Sequence, residues 1–322
     1  MRSIHVTQAG GPQVMTMVEI PEPEPGPDQV LIKVAASGVN FIDIYVREGR
    51  YGHALPLTPG QEGAGTVVKL GSAVEGIAIG DRVAWCSILG TYAEFALAPA
   101  ERVVPIPARV TFEDAAAVLL QGMTAHYLSH SAYPIKVGDD ILIHAGAGGT
   151  GLLLTQYAKA RGARVYTTVS TPDKADLSRL AGADEVILYM DKDFEEEVRR
   201  LSSGKGVAAV YDSVGATTFQ QSLNSLRPRG TLVLYGSAGG EVEPFAPIHL
   251  ASLGSLFLTR PVLRDYVASR EELLRRAGAV FQAVSEGTLT VRTGARFPLQ
   301  DAALAHEALD GRKTTGKVLL IP

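Results

Sequence analysis

A glycine-rich turn between a short apolar strand and an Ala-rich helix constrains this fold more than any other feature. Residues 141–151 read Ile-Leu-Ile-His-Ala-Gly-Ala-Gly-Gly-Thr-Gly, and a helical apolar pattern at residues 152–160 follows at once. Gly146, Gly148 and Gly151 match the spacing G-x-G-x-x-G in the strand, turn and helix context that gives the motif its meaning. The glycines let the backbone turn tightly, and the helix start offers free N–H groups to a pyrophosphate. The segment therefore predicts a dinucleotide site.

The tip of the next strand indicates which dinucleotide is bound. In NAD sites an Asp or Glu about 20 residues past the glycines accepts hydrogen bonds from the ribose. Here Ser170 and Thr171 occupy that tip, and Lys174 follows one turn later, next to Asp173. A hydroxyl and a lysine suit a 2′-phosphate, and two charge-assisted bonds of about 1.5–3 kcal/mol each would favour NADPH by roughly 10²–10⁴-fold. The alternative is a solvated lysine at a helix start that Thr171 caps.

Length and composition predict a two-domain protein of the cytoplasm. The 322 residues exceed what one core usually supports, and 46% of them are hydrophobic. The net charge of −4 gives no basic footprint for nucleic acid. The sequence shows neither an apolar run long enough for a membrane span nor a signal-peptide pattern. Its single cysteine, Cys86, excludes an internal disulfide and fits a reducing compartment, where we expect a buried, inert thiol.

The rhythm of the predicted elements changes along the chain. Strands at 29–36, 63–70, 80–85 and 92–97, separated by turns, favour a barrel-like antiparallel domain. Beyond Phe112, strands at 141–144, 164–169, 185–188, 208–211, 231–235 and 255–258 alternate with helices at 149–161, 174–181, 194–202 and 217–226, which predicts a parallel, doubly wound sheet. After a helix at 270–286, the tail is β-rich and no longer alternates strands with helices, so we expect it to return to the first domain rather than extend the second. We therefore predict a discontinuous β-rich catalytic domain, 1–120 with 261–322, and a Rossmann domain, 121–260.

Seven ordered motifs carry a resemblance to one family. They are Gly38-Val-Asn-Phe-Ile-Asp-Ile-Tyr-Val-Arg-Glu-Gly-Arg-Tyr51, Pro59-Gly-Gln-Glu-Gly-Ala-Gly65, Gly80-Asp-Arg-Val83, Ala145-Gly-Ala-Gly-Gly-Thr-Gly151, Tyr211-Asp-Ser-Val-Gly215, Leu258-Thr-Arg-Pro261 and Thr315-Gly-Lys-Val-Leu-Leu320. Over essentially its whole length the chain resembles the zinc-independent medium-chain dehydrogenases/reductases, and within them the quinone oxidoreductases related to zeta-crystallin. The resemblance implies an α/β fold with a GroES-like catalytic domain and a Rossmann domain that binds NADPH.

The resemblance also predicts chemistry without a metal. The positions that hold catalytic zinc in other members read Asn40, Gln61 and Gln121, none of which supplies a thiolate or an imidazole. The cysteine-rich lobe is missing, and the seven histidines show no ligand spacing. Without a Lewis acid the acceptor must already be electrophilic, as quinones and α,β-unsaturated carbonyls are. We expect hydride transfer from NADPH to a quinone, with reduction of an alkenal or enone double bond as the alternative.

On the acceptor side the resemblance implies a polar set at the cleft between the domains, made of Asn40, Tyr45, Tyr51 and Arg260. Tyr51 is the first choice for a hydrogen bond to the acceptor oxygen, or it only orients the acceptor while water delivers the proton. Tyr45 either stacks near the cofactor or is a half-buried residue in the wall of the cleft. Arg260 either stabilises negative charge or pairs with a carboxylate such as Asp43.

Two other charged groups near this set have structural interpretations. Asp43 and Arg47 lie four residues apart, which on a helix predicts an ordinary surface pair. Glu62 stands in a Gly-rich segment and is expected to brace the site rather than react.

On the cofactor side the resemblance implies four groups of contacts. The pyrophosphate is held by Gly148, Gly149, Thr150 and Gly151, and Thr124, with Asn40 and Tyr45, touches the nicotinamide end. The 2′-phosphate is held by Ser170, Lys174, Tyr189 and Arg312, with Arg312 reaching across from the tail. Ser213, Gly215, Gly236 and Ser237 line the adenosine and ribose, although plain turn formation is a rival explanation, and Phe257 and Leu258 flank the nicotinamide. Thr150, a valine in many relatives, contacts a phosphate or caps the helix.

Two expectations concern partners. The family often forms dimers by joining sheet edges, and residues 231–235 and 255–258 are apolar enough for an edge that needs covering, so we predict a homodimer. A non-enzymatic role, as an NADPH-binding crystallin-like protein or an RNA-binding protein, is the hypothesis from a different class. The acidic net charge argues against RNA unless the fold creates a local basic patch.

Overall fold

The computed structural model describes residues 1–322, which form two compact units. Unit 1 comprises residues 1–123 and 267–322, and unit 2 comprises residues 124–266. No helix of residues 1–322 is long and apolar enough to cross a membrane.

Unit 1 is built on a seven-stranded sheet and a separate hairpin. Its strands are β1 (Arg2–Val6), β2 (Met15–Glu19), β3 (Gln29–Val39), β4 (Glu62–Leu70), β5 (Arg82–Cys86), β6 (Phe95–Pro99), β7 (Val104–Pro105), β14 (Thr293–Pro298) and β15 (Lys317–Ile321). Its helices are α1 (Phe41–Arg47), α9 (Arg270–Ser285), α10 (Ala302–Asp310) and most of α2 (Phe112–Tyr127), with 3-10 turns at Pro12–Val14, Ala100–Arg102 and Leu299–Asp301.

The order of strands in the large sheet is β14-β15-β3-β4-β5-β7, with β6 also paired to β3. The pairing is antiparallel except between β14 and β15. Alternate residues of β3, Val30, Ile32 and Val34, pack against Trp85 in one apolar cluster, as the period of two in a strand requires. Because β15 pairs with β3, the C-terminal segment lies beside the first part of the chain.

Unit 2 contains a six-stranded sheet flanked by helices. Its strands are β8 (Asp140–Ile143), β9 (Arg164–Val169), β10 (Glu185–Leu188), β11 (Val207–Asp212), β12 (Leu226–Leu234) and β13 (Phe257–Thr259). Its helices are α3 (Gly149–Ala160), α4 (Pro172–Leu180), α5 (Phe194–Leu201), α6 (Phe219–Asn224), α7 (Ile248–Ser252) and α8 (Leu263–Tyr266), with a π-helical turn at Leu128–Ala132.

The strand order of this sheet is β10-β9-β8-β11-β12-β13, and every neighbouring pair is parallel. All six residues of β11 are buried, as expected of a central strand covered on both faces. The doubly wound parallel sheet predicted from the alternation of strands and helices is confirmed, together with the two-domain α/β fold.

Two predictions in unit 2 are wrong. The helix predicted at 217–226 is shorter, because Leu226 already begins β12 and pairs with Val207. Residues 231–235 are not at an edge, since β12 lies between β11 and β13. The exposed edge on this side of the sheet is β13 alone.

Candidate functional site

The glycine turn after β8 is shaped by close backbone approach. Gly148 is the N-cap residue of α3, and no side chain caps the helix, so capping by Thr150 is wrong. A Cβ at Gly151 would lie 2.3 Å from the carbonyl oxygen of Ala145, and one at Gly146 would lie 2.6 Å from Thr167 Cβ. Larger residues are therefore excluded at both positions. The free N–H groups of the first turn of α3, at the end of a helix of 12 residues, fit an anionic group such as a pyrophosphate.

The tip of β9 has both features that its sequence predicts, a helix cap by Thr171 and a lysine beside a hydroxyl. Thr171 caps α4, and its Oγ1 accepts a hydrogen bond of 3.4 Å from the backbone N of Lys174. The Lys174 ammonium nitrogen in turn lies 3.2 Å from Ser170 Oγ. Tyr189 follows the adjacent strand, β10, and its backbone N donates to Val169 O at 3.1 Å. A hydroxyl and an ammonium thus stand together at the strand tip, where a carboxylate would serve NADH.

A buried carboxylate that sequence reasoning missed shapes the loop after β11. Asp212 is 0% exposed, and its Oδ1 accepts from the backbone N atoms of Val214 at 2.7 Å and Gly215 at 3.0 Å. Its Oδ2 accepts from Thr218 Oγ1 at 2.7 Å and from Ser222 Oγ at 2.9 Å. An acid placed two and three residues before the amides that it binds is the pattern of an Asx turn, and that pattern is visible in the sequence.

The glycines of this loop are required by the backbone. Gly215 has φ +89°, and a Cβ there would lie 2.6 Å from Gly240 O. A Cβ at Gly236 would lie 2.5 Å from Ser213 O. Gly215 and Gly236 thus have a role in forming the turn, and the contacts of Ser213, Gly215, Gly236 and Ser237 with the adenosine and ribose stay predictions.

His144 joins the carboxyl ends of two strands to a helix. Burial lowers the pKa of His144, which keeps the ring neutral at physiological pH. Its Nδ1 lies 2.8 Å from Thr168 Oγ1 and its Nε2 lies 3.0 Å from Ser222 Oγ. Because Ser222 donates to Asp212, the hydroxyl of Ser222 accepts from Nε2–H, and Nδ1 accepts from Thr168. Thr168, His144, Ser222 and Asp212 thus form one chain of hydrogen bonds at the edge of the sheet that carries the glycine turn.

The remaining predicted residues of unit 2 lie near strand ends or in α2. Thr124 is buried in the last part of α2, whereas Phe257 is 59% exposed on β13. Leu258 is half-buried, and Arg260 is exposed, with its Nη1 3.4 Å from Pro261 O. Their contacts with cofactor or acceptor stay predictions.

In unit 1, Asn40 lies in a buried network that joins three strands and a helix. Its Nδ2 donates to Glu62 Oε2 at 2.9 Å and to Gly38 O at 3.3 Å. Its Oδ1 accepts from Lys317 Nζ at 2.7 Å and from Gln121 Nε2 at 3.3 Å. Lys317 also forms an ion pair with Glu62, whose Oε1 accepts from the backbone N of Leu120 at 2.7 Å. Glu62 thus braces this region, and Lys317 is a partner that sequence reasoning missed.

Asp43 and Arg47 lie inside unit 1, so the predicted surface pair is wrong. Both side chains are buried, and neither oxygen of Asp43 is hydrogen-bonded to an arginine. Asp43 Oδ2 accepts from Asn40 N at 2.8 Å and from Tyr92 Oη at 3.3 Å, while Oδ1 has no hydrogen-bond partner. The cause is that α1 turns this face inward, where His306 also lies.

The four groups on that face form a chain of hydrogen bonds. Arg47 Nη1 lies 3.2 Å from His306 Nδ1, and His306 Nε2 lies 3.0 Å from Tyr92 Oη. Burial, with a smaller contribution from Arg47, lowers the pKa of His306 to about 3, so the ring is neutral. Burial likewise raises the pKa of Asp43 to about 7 and that of Tyr92 well above its ordinary value. Arg47 therefore donates to His306, His306 to Tyr92, and Tyr92 to Asp43.

The two predicted tyrosines lie close together near the end of α1. The ring centroids of Tyr45 and Tyr51 are 6.4 Å apart, and the Arg50 guanidinium carbon lies 4.6 Å from the Tyr45 centroid. Tyr45 is 8% exposed, so it is more buried than the half-buried wall that the sequence allows, whereas Tyr51 is 54% exposed. Arg312 follows α10 with φ +56° and is exposed; its reach to a 2′-phosphate stays a prediction.

Asn40, Gln121 and Cys86 bear on the prediction that no metal is bound. Within residues 1–322 no three His, Cys, Asp or Glu side chains are grouped to hold a metal ion. Asn40 and Gln121, two of the residues that the family resemblance aligns with zinc ligands, are hydrogen-bonded to each other. Cys86 is buried, and burial raises the pKa of its thiol to about 12, as expected of an inert cysteine.

A basic depression lies at the opposite end of the sheet in unit 2. It has a volume of about 920 Å³ and is lined by Arg199, Gly204, Lys205, Leu226, Arg227, Pro228, Arg229 and Leu253. It surrounds the amino ends of β11 and β12, whereas the glycine turn follows the carboxyl end of β8. The depression is therefore distinct from the predicted cofactor site.

Two family models match the chain. The model described as "Alcohol dehydrogenase GroES-like domain" matches residues 26–108, and the one described as "Zinc-binding dehydrogenase" matches residues 149–277.

Curated relatives match over nearly the full length. The chain is 41% identical over 317 residues to quinone oxidoreductase 1 of Escherichia coli, with 97% of each chain covered. It is 41% identical over 323 residues to a quinone oxidoreductase of Pseudomonas aeruginosa, covering 100% of this chain and 99% of the relative. A 2-haloacrylate reductase of Burkholderia sp. is 40% identical over 326 residues, covering 98% of both.

Solved structures agree with these relatives. A mycobacterial protein in complex with NADPH is 50% identical and superposes with a TM-score of 0.97, covering 100% of both chains. Quinone oxidoreductase of Escherichia coli in complex with NADPH is 40% identical with a TM-score of 0.98, again covering 100% of both.

Proposed function

From the membership of this chain in the quinone oxidoreductase family of medium-chain dehydrogenases/reductases, we propose that it transfers a hydride from NADPH to a quinone. The observation that carries the proposal is 41% identity to quinone oxidoreductases with 97% or more of both chains covered. The overall reaction converts NADPH, a quinone and a proton into NADP⁺ and a hydroquinone.

The donor groups at the carboxyl edge of the unit 2 sheet fit NADPH. The start of α3 would hold the pyrophosphate through the backbone N–H groups of Gly149, Thr150 and Gly151. Ser170 and Lys174 would hold the 2′-phosphate, because they present a hydroxyl and an ammonium 3.2 Å apart. Further contacts are proposed for Thr124, Tyr189, Ser213, Gly215, Gly236, Ser237, Phe257, Leu258 and Arg312. When bound, NADPH supplies the hydride.

The acceptor needs orientation and hydrogen-bond donors rather than a strong acid. A quinone delocalises the incoming charge onto its oxygen, where a donor stabilises it. We propose Tyr51 for that donor, because its side chain is 54% exposed beside the buried ring of Tyr45. Water then delivers the proton to the hydroquinone oxygen. Asn40 and Arg260 complete the proposed polar set, and Tyr45 orients the ligands through its ring.

A second candidate function has a specific observation in its favour. One relative that is 40% identical over 98% of both chains is a 2-haloacrylate reductase. Reduction of a carbon–carbon double bond conjugated to a carbonyl group uses the same hydride donor and the same kind of oxyanion stabilisation. The two functions differ in the shape of the acceptor pocket.

An acceptor panel decides between the two functions. The purified protein would receive NADPH with a series of benzoquinones and naphthoquinones and, separately, with 2-alkenals and 2-haloacrylates, and cofactor oxidation would be followed by absorbance. We expect turnover with quinones. Turnover with alkenals or haloacrylates alone would replace the proposal by the second function, and oxidation with neither series would contradict both.

We also propose a homodimer formed through the β13 edge. Phe257 on β13 is 59% exposed and Ile248 on α7 is 70% exposed, so an apolar surface accompanies an unpaired strand. Light scattering should give twice the chain mass, and Ile248→Asp should lower it to one chain. Ile79→Asp, which changes a 65% exposed residue of unit 1, is the matched control and should leave the mass unchanged. A single-chain mass for the unaltered protein would contradict the proposal.

A cytoplasmic location completes the proposal. The buried Cys86 thiol and the absence of any second cysteine fit a reducing compartment. Fractionation of cells that express the protein should recover it with cytoplasmic markers, and recovery with secreted markers would contradict this location.

A further inference from the structure

A buried lysine lies against the amide of Asn40. Lys317 begins β15, and its side chain is 1% exposed, while that of its ion-pair partner Glu62 is 0% exposed. The strand order β15-β3-β4 brings the two charges together beneath Asn40, although Lys317 and Asn40 are 277 residues apart in the chain. Lys317 belongs to the motif Thr315-Gly-Lys-Val-Leu-Leu320, to which sequence reasoning gives no role.

The ammonium group determines which way the Asn40 amide points. A lysine ammonium can only donate hydrogen bonds, so the atom 2.7 Å from Lys317 Nζ must be the amide oxygen. A flipped amide would set two donor groups against each other and would leave Glu62 without its bond of 2.9 Å from Nδ2. Lys317 and Glu62 therefore bind opposite ends of the same amide and exclude the flipped state.

The space for this arrangement depends on a glycine. A Cβ at Gly38 would lie 2.5 Å from Glu62 Oε2 and 2.7 Å from Lys317 Cε. Because Gly38 has no side chain, the buried ion pair of Lys317 and Glu62 fits beside Asn40.

The hydrogen bonds of Asn40 differ in length, and the difference indicates which one a ligand can replace. The bonds to Lys317 and Glu62 are 2.7 and 2.9 Å long, whereas those with Gly38 O and Gln121 Nε2 are both 3.3 Å. Longer bonds are weaker. The N–H that donates to Gly38 O is therefore the donor most easily shared with a bound oxygen.

We propose that Lys317 is a positioning residue for the hydride transfer: with Glu62 it fixes the Asn40 amide with its nitrogen as the donor, so that the N–H in the long bond to Gly38 O is shared with the oxygen of the acceptor. This inference rests on the proposed function, in which Asn40 belongs to the polar set. Lys317 itself does not touch the acceptor and acts only through Asn40.

A cycle of variants tests this coupling. Lys317→Met alone would leave Glu62 as a buried, unpaired carboxylate, so the change is combined with Glu62→Gln, which removes both charges. The cycle consists of the unaltered protein, Asn40→Ala, Lys317→Met with Glu62→Gln, and all three changes together. Lys33→Met, at an exposed lysine of β3, is the matched control. For each protein kcat, KM for the acceptor and Kd for NADPH are measured with whichever acceptor the unaltered protein reduces.

A positioning role predicts strong non-additivity. Asn40→Ala and the charge-removing pair should each lower kcat by about tenfold or more, and the triple variant should be no slower than Asn40→Ala by more than about twofold. The Kd for NADPH should change by less than about threefold throughout. Unchanged kcat in the charge-removing pair, or losses that multiply in the triple variant, would overturn the proposal.

Two outcomes separate the positioning role of Lys317 from quinone reduction. If the unaltered protein reduces alkenals but no quinone, the proposed function fails while the cycle is still run with the alkenal. If quinone turnover persists in Asn40→Ala at the original kcat, quinone reduction stands and the positioning role is overturned.

A measurement on the unaltered protein covers the case in which the variants do not fold. Crystals grown with NADP⁺ and soaked in 1,4-benzoquinone should show Asn40 Nδ2 within hydrogen-bond distance of a quinone oxygen. Asn40 Oδ1 should still accept its hydrogen bond from Lys317 Nζ. A quinone bound without contact to Nδ2, or an amide turned away from Lys317, would overturn the proposal.

Discussion

The two units build polar sites in opposite ways. At the edge of the unit 2 sheet the chemistry comes from backbone N–H groups, glycines and residues four apart, such as Ser170 and Lys174. Around Asn40 in unit 1 it comes from buried side chains, including the pair of Lys317 and Glu62, which are 255 residues apart. A site made of backbone N–H groups keeps its donors when neighbouring side chains are changed. In a buried network, removal of one charge leaves its partner buried and unpaired, which destabilises the fold. The comparison therefore predicts which substitutions damage folding and which damage only cofactor binding.

The largest effect on stability is expected from a single change in the unit 1 network. Lys317→Met leaves the Glu62 carboxylate buried and unpaired, which costs about 3–5 kcal/mol of unfolding free energy. Urea unfolding of this variant against Lys33→Met measures the loss, and Glu62→Gln added to Lys317→Met should recover most of it. A loss below about 1 kcal/mol, the usual scale of an exposed pair, would show that the network is not a buried ion-pair site.

A pH effect of similar size is expected from Asp43. Burial raises its pKa from 3.8 to about 7, so the folded state binds the proton more tightly than the unfolded state. Stability is then highest below about pH 4 with respect to this group, falls as pH rises towards 7 and is constant above it, a change on the order of 4 kcal/mol at about 1.4 kcal/mol per pKa unit. The groups that face Asp43 are the backbone N of Asn40, Tyr92, Lys317 and Glu62.

Asp43→Asn provides the test of that pH effect. Asparagine keeps an acceptor oxygen for Asn40 N and removes the titration, so the slope of unfolding free energy between pH 4 and 7, about three pKa units, should flatten. The measurement is urea unfolding at a series of pH values. A slope equal to that of the unaltered protein would assign the pH dependence to other groups.

In unit 2 the expected effect is on cofactor choice rather than folding. Lys174→Ala removes a charge-assisted hydrogen bond, so KM for NADPH should rise by about 10- to 100-fold while KM for NADH stays nearly constant. Arg179→Ala on the same helix is the matched control, because Arg179 is exposed and pairs only with Asp176. Equal changes with the two cofactors would place the 2′-phosphate elsewhere.

A smaller effect tests the glycine turn. Gly151→Ala forces a Cβ to within 2.3 Å of Ala145 O, so we expect about 1–3 kcal/mol of destabilisation and weaker NADPH binding. Gly278→Ala, in the middle of α9 with open space around it, should be neutral or slightly stabilising. Thermal unfolding and NADPH titration of both variants give the comparison, and equal behaviour of the two would contradict the close packing of the turn.

How much the sequence predicts follows the same division. The strands of unit 2 and its glycine turn depend on local periodicity and spacing, and Arg164–Val169 and Glu185–Leu188 lie at their predicted bounds. The loop of Asp212 had a readable turn pattern that was missed. Asn40 entered only through a family resemblance, and no spacing could pair it with Lys317, because that contact depends on β15 lying beside β3. The surface pair predicted for Asp43 and Arg47 is wrong, because a spacing of four residues places two side chains on one face of a helix but does not tell whether that face is buried.

Cofactor preference in steady-state turnover tests the central claim most directly. With a quinone as acceptor, kcat/KM would be measured for NADPH and for NADH on the unaltered protein. The hydroxyl and ammonium at the tip of β9 predict a preference for NADPH of roughly 10²–10⁴-fold. Equal values for the two cofactors, or no oxidation of NADPH by any quinone, would contradict the account.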